Sequence, residues 1–238
     1  MENRFFYLSI LSILIIFPFT FSSAQYNGNN TCISVNYSYT NTSKLFLNPN
    51  SPDEILRAQS LPLDDIFSYS AELRYRVSEP FILGLRIEYI KKTITHKDDQ
   101  IPVIDVTFGY RLIPVELSVY YFLPFSTENF KFFMGGGIGV YFGDNIKDIG
   151  DVHSIEMERK FAYGIQVEVG MDYMIWKNFS ARFQMRFRDP EFEIESKYSS
   201  DTVNYNGKTY FLSNSPFITK TNIDGITFTL GIAYNFNI

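Results

Sequence analysis

The sequence is poor in the residues that most often carry chemistry. It holds one cysteine, one tryptophan and two histidines in 238 residues. A lone cysteine, Cys32, cannot close a disulfide within the chain and offers no thiolate cluster to a metal. With only His96 and His153 present, an imidazole-dependent enzyme has few places to be built. An excess of positive charge is also missing. The balance of 21 basic against 26 acidic residues argues against a nucleic-acid binder. After the first two dozen residues no apolar run reaches the roughly 18 residues of a membrane-spanning helix, and helical periodicity is nearly absent.

The N-terminus reads as an export signal. Arg4 gives a short basic region, Phe5 to Phe21 is apolar with an interruption at Pro18, and Ser22-Ser23-Ala24 supplies small residues for a peptidase. Residues 1–24 are therefore expected to be a cleaved signal peptide, with 25–238 as one β-barrel domain. The run is slightly short for a membrane anchor, and no cysteine sits at the cleavage point to carry a lipid, the only one being Cys32.

What the chain has in quantity is aromatic residues, 24 Phe and 17 Tyr, laid out with a period of two. Phe67, Tyr69, Ala71, Leu73, Tyr75 and Val77 share one face of a strand, with Ser68, Ser70, Glu72, Arg74 and Arg76 on the other. The stretches 161–175, 179–188 and 226–236 repeat the scheme. Eight such segments are expected, at 32–40, 65–77, 80–94, 102–123, 131–143, 158–175, 179–195 and 223–237. Short connections (Ser78-Glu79, Pro124 to Asn129, Lys177-Asn178) alternate with long or polar ones at 41–64, 95–101, 144–157 and 196–222. That rhythm predicts an all-β fold: an eight-stranded antiparallel up-and-down transmembrane β-barrel, with both termini on the short-turn side and long loops facing outward. Such a barrel places the protein in the outer membrane of a Gram-negative cell, in contact with its lipid.

Two places break the alternation. In the fourth segment the apolar parity is even at Ile104, Val106, Phe108 and Tyr110 and odd at Val115, Leu117, Val119 and Tyr121. A bulge near Ile113-Pro114 is expected to restore the facing. Parity flips again at Asp189-Pro190. Within 41–64, Ser51-Pro52-Asp53-Glu54 reads as the cap and first turn of a short helix ending near Ala58.

The polar faces carry matched charges: Arg74, Arg76, Arg86, Arg182, Arg186 and Arg188 against Glu72, Glu88, Glu116, Glu168 and Asp172. On a wet surface such a set means little. Inside a narrow barrel a near-balanced arginine–carboxylate network can fill the lumen, whereas unpaired charges there would be costly. The apolar faces carry more ring surface than one small core absorbs, so they are expected to meet lipid.

The segment from Ile113 to Phe122, a turn, and Phe132 to Gly143 resembles the central hairpin of the small OmpA/OmpX-type, porin-like barrel family. Thr229, Gly231, Tyr234 and Phe236 resemble the C-terminal assembly signal of that family, which implies recognition by the barrel-insertion machinery. The chain departs from the pattern by running on through Asn237-Ile238.

Nothing catalytic emerges. Gly135 to Gly139 lies inside an aromatic strand with no helix after it, so its glycines make space rather than cradle a phosphate. Asp151-Val152-His153 resembles the Asp-x-His pair of omptin-type proteases, but its nearest acidic partner is Asp98-Asp99 in another loop, and omptins have ten strands. The reading is a non-enzymatic protein without cofactors or bound metal, of structural or surface-interaction type. It is monomeric, acts through loops 41–64 and 196–222 on an unspecified ligand, and its lumen is largely filled. The alternative is a narrow pore for small solutes.

Overall fold

Period-two alternation makes strands, and here the strands close on themselves. The computed structural model describes residues 29–97, 104–213 and 215–238. The expected signal peptide and Asp98-Asp99 lie outside them. In chain order the elements are β1 (Thr31–Thr40), β2 (Lys44–Phe46), α1 (Glu54–Ala58), β3 (Ser60–Pro62), β4 (Ile66–Arg76), β5 (Phe81–Lys97), β6 (Asp105–Phe122), β7 (Phe130–Ile149), β8 (Ser154–Arg159), β9 (Ala162–Met174), β10 (Phe179–Arg188), β11 (Glu191–Tyr198), β12 (Thr202–Tyr205), β13 (Lys208–Phe211), β14 (Phe217–Asn222) and β15 (Ile226–Phe236).

Eight of these strands form a closed barrel in the order β1-β15-β10-β9-β7-β6-β5-β4. Every neighbour is antiparallel, and the barrel closes where β1 meets β15 from Thr31↔Phe236 to Thr40↔Thr227. The two residues beyond the terminal aromatic fasten this seam. Asn30 N–H donates to Asn237 Oδ1 at 2.8 Å, and Ile238 N–H donates to Asn30 Oδ1 at 3.2 Å.

The barrel is inside out relative to a soluble protein. Val35, Ile165 and Ile232 are 65%, 71% and 60% exposed, whereas Glu116 and Arg182 are fully buried. Rings gather at both edges of the apolar band: Phe81–Tyr121, Phe130–Tyr173 and Phe179–Tyr234 at the short-turn end, Tyr37–Phe67 and Tyr37–Tyr69 at the other. A band of outward apolar side chains flanked by aromatic girdles is the surface a bilayer requires.

The described residues of the connections 41–64, 144–157 and 196–222 are not loose. They fold into a five-stranded sheet, β3-β2-β14-β11-β8, and a β12–β13 hairpin above the barrel. The hairpin turns at Asn206 and Gly207, both at positive φ (50° and 75°), the conformation that an Asn-Gly turn adopts readily. Helix α1 forms where expected, with Asp53 Oδ1 accepting from Ile55 N–H at 2.9 Å.

Three expectations are corrected. The segment 179–195 is two strands: β10 ends at Arg188, and β11 leaves the barrel for the upper sheet. The segment 158–175 likewise divides into β8 and β9. And neither parity flip marks a bulge. The β5–β6 ladder runs through Ile87↔Val115 and resumes at Ile90↔Leu112 in unchanged register, so Pro114 interrupts it without shifting it. Even-numbered residues face inward along all of β6, from Val106, Phe108 and Tyr110 to Glu116, Ser118 and Tyr120. Past Asp189, Phe192 and Ile194 stay on the inward parity of Arg186 and Arg188. What changes is the interior itself, which turns from charged to apolar.

That apolar interior is a core at the barrel's outer end. It unites Ile66, Ile90, Val106, Phe108, Tyr110 and Leu112 of the barrel wall with Leu45, Leu63, Phe192, Ile194 and Ile223 of the folded connections.

Candidate functional site

The charged lumen follows from register. Antiparallel pairing sets Glu72 opposite Arg86, Arg86 opposite Glu116, Asp172 opposite Arg182, and Glu168 opposite Arg186. Opposite charges facing one another across neighbouring strands stabilise a sheet. Inside a closed barrel the same side chains also reach across the lumen.

Two layers result. In the outer layer Glu88 accepts from Arg186 Nη2 and Arg188 Nη1, both at 2.7 Å, and from Ser68 Oγ at 2.6 Å. Glu116 accepts from Arg186 Nη1 at 2.5 Å and from Tyr141 OH at 3.2 Å. In the inner layer Arg182 grips Asp172 with a bidentate pair of 2.8 Å bonds and reaches Glu72 at 2.9 Å. Arg86 Nη2 lies 3.1 Å from Glu72 and 3.0 Å from Glu168, and the Tyr120 hydroxyl is 2.5 Å from both carboxylates. Arg86 Nη1, 3.6 Å from Glu116, joins the layers. Arg74, with Nε 3.1 Å from Glu72, stacks over the Tyr120 and Phe133 rings at 3.8 and 4.3 Å.

Glycines make room for these rings. A Cβ on Gly84 or Gly135 would come within 2.5 Å of Tyr120, and one on Gly170 within 2.5 Å of Phe133. Gly139 faces Glu116 and Tyr141 in the same way. In β7, Gly135 and Gly139 are thus the complement of Tyr120 and Glu116 on β6, and Gly170 on β9 is the complement of Phe133 on β7. Below the charges, Cys32, Ile82, Phe122, Phe133 and Ala233 form a small apolar floor, and the large apolar core lies above them.

Ten of the eleven charged residues singled out in the sequence meet in this lumen. Arg76 does not: it is half-buried at the short-turn rim, where its Nη2 donates to the Asn29 carbonyl at 2.8 Å. Position explains the difference, since Arg76 ends β4 and pairs with Ile82 at the mouth of the barrel. Of the C-terminal residues, Thr229 faces inward and bonds Ser38 at 2.8 Å. Gly231 leaves space that Asn36 fills, and Tyr234 lies outward between Phe179 and Phe236. Asp151-Val152-His153 is the turn between β7 and β8. Val152 is buried in the upper core, and His153 is exposed with Nδ1 3.3 Å from Asp148. Among the described residues no group of three His, Cys, Asp or Glu side chains is placed to hold a metal ion.

Outside the membrane the sheet carries ordinary exposed ion pairs. The Asp224 carboxylate, accepting from Lys44 Nζ at 2.6 Å, raises the Lys44 pKa above its usual value. Exposed pairs of this kind add little stability.

A family model described as the outer membrane protein beta-barrel domain matches residues 12–236. The chain belongs to this family. It is an integral protein of the cell outer membrane, and its exposed apolar band faces outer-membrane lipid. No curated protein matches it in sequence. Solved structures of this outer-membrane barrel type share its fold. OprG from Pseudomonas aeruginosa is 13% identical, with a TM-score of 0.64 over 90% of this chain and 99% of that one. The outer membrane protein AlkL, determined in lipid bilayers, is 16% identical, with a TM-score of 0.50 over 90% of this chain and 93% of that one. At such identities the likeness carries the fold alone.

The upper core is the part of the site that sequence reasoning missed. Its signal was present: inward parity continues unbroken through Val106, Phe108, Phe192 and Ile194, and only the chemistry changes.

Proposed function

We propose that this barrel is a closed surface protein. It acts through the folded sheet and hairpin that it carries outside the membrane, and it neither conducts solutes nor catalyses a reaction. The observation that carries this reading is the stacking of two charged layers beneath an apolar core within one eight-stranded wall. An eight-stranded barrel is only wide enough for side chains, and here large ones occupy it. The protein is a monomer that reaches the membrane after removal of residues 1–24. Its last strand, with Thr229, Gly231, Tyr234 and Phe236, is read by the barrel-insertion machinery.

Planar-bilayer recording of the refolded protein tests this. A quiet membrane is expected. Steady, reproducible openings would establish the narrow pore for small solutes instead.

A further inference from the structure

The outward face of the barrel wall changes from apolar to polar toward its outer end, and not on every strand alike. On β5 the exposed series Phe81, Leu83, Leu85, Ile87 and Tyr89 gives way to Lys91, and on β6 Ile113 gives way to Arg111. On β10 the series ends at Phe187, which pairs with Val167 of β9. Beyond that pair the two neighbouring segments differ. One keeps Ile165, Tyr163 and, just before β9, Phe161 outward, the two rings 70% and 72% exposed. The other continues with Asp189, Glu191 and Glu193. The segments run side by side: Lys160 N–H donates to the Glu193 carbonyl at 3.1 Å, and a Cβ on Gly164 would lie 3.1 Å from Pro190 Cα.

Between them lies a groove of about 330 Å³ with rings on one wall and carboxylates on the other. The Phe161 and Tyr163 rings are 6.1 Å apart and 31° from parallel. Two lysines reach the groove, and both are engaged. Lys160 Nζ lies 2.6 Å from Glu193, and Lys220 Nζ lies 2.7 Å from Glu191. Lys44, whose charge also feels Asp189, holds Asp224 at 2.6 Å. Among the described residues Asp189 has no ion-pair partner, and no side-chain cation covers either ring. The groove therefore carries three carboxylates against two cations, a surplus of one negative charge. An acyl chain would suit the rings and leave the carboxylate bare. A bare metal ion would find no set of three ligands placed to hold it. A cation with an organic surface satisfies both walls, since ring faces attract positive charge and its alkyl groups alike.

We infer that this groove takes an organic ammonium ion, its charge against Asp189 and its alkyl groups on the faces of Phe161 and Tyr163. The ammonium is either free in solution or carried by an amphiphile of the outer leaflet, because the groove opens where the apolar series of β9 ends.

Saturation-transfer NMR of the protein refolded in maltoside micelles tests the assignment. The probes are choline and its uncharged tert-butyl isostere. Choline is expected to bind saturably and the isostere not. Asp189→Asn, Phe161→Leu and Tyr163→Leu are each expected to weaken choline binding about two- to fivefold. Glu54→Gln removes a surface carboxylate outside the groove and leaves binding unchanged. Heat-modifiable gel mobility verifies that each variant is folded. Displacement of choline by dodecyltrimethylammonium in the micelle would assign the groove to a membrane-borne ammonium, and choline binding that resists it to a free one. Equal binding of choline and the isostere would overturn the proposal. So would choline binding unchanged by Asp189→Asn and Tyr163→Leu together.

Discussion

The same strands enclose two interiors of opposite character. Between Lys131 and Arg188 the lumen is lined by arginines, carboxylates, serines and glutamines, with apolar side chains pointing outward. Above Ile90 and Leu112 the inward side chains are Val106, Phe108, Tyr110, Phe192 and Ile194, and charges point outward. Strand β6 passes through both without a change of register. The difference lies in what surrounds the wall. Within the bilayer the outer face must be apolar, and the inner face takes the polar residues. Beyond Lys91 and Arg111 the outer face meets water, and the wall reverts to the ordinary arrangement of a soluble protein. Pattern inversion at constant register thus marks the membrane boundary.

The two interiors should fail in different ways. Removing Glu88 leaves the buried Arg186 and Arg188 with only one of the two carboxylates they share. Glu88→Ala is expected to cost about 3–5 kcal/mol, measured by urea unfolding in lipid vesicles, and to weaken the barrel itself. Ile194→Ala, in the upper core, is expected to cost about 2–4 kcal/mol. Its effect should appear as faster proteolysis of the outer sheet, with heat-modifiable gel mobility kept. If both variants lost the barrel equally, the two regions would be one cooperative unit. A smaller effect is expected from the double change Glu116→Met with Arg186→Met. The Glu88–Arg188 pair at 2.7 Å survives it, and apolar side chains of similar size replace the lost charges. The stability change should be within about 1 kcal/mol, much less than Glu116→Met alone.

This inversion also sets the limit on what could be read from sequence. The eight-stranded barrel was legible because period two persists along each wall and the connections alternate in length. Most of the charged lumen was legible because Glu72, Arg86, Glu116 and Arg182 interrupt apolar series at every second residue. The upper core was not, because an apolar residue on the opposite parity can mean a bulge or a new environment. Tyr110 and Phe192 read alike under both, and only their contacts with Ser43, Leu45 and Leu63 from a distant connection decide. Arg76 was misplaced for a related reason: alternation gives its face but not its depth. The outer sheet joins β2, β14, β11 and β8 across long sequence separations, and no local pattern encodes that pairing.

The central claim is that the apolar face of the middle region touches lipid. The sole tryptophan, Trp176, makes this directly measurable. In a Trp176→Phe background, a tryptophan introduced at Ile165 should be strongly quenched by lipids brominated in mid-chain, and one introduced at Thr93, above the boundary, should not. Absence of quenching at position 165 in the folded protein would contradict the account.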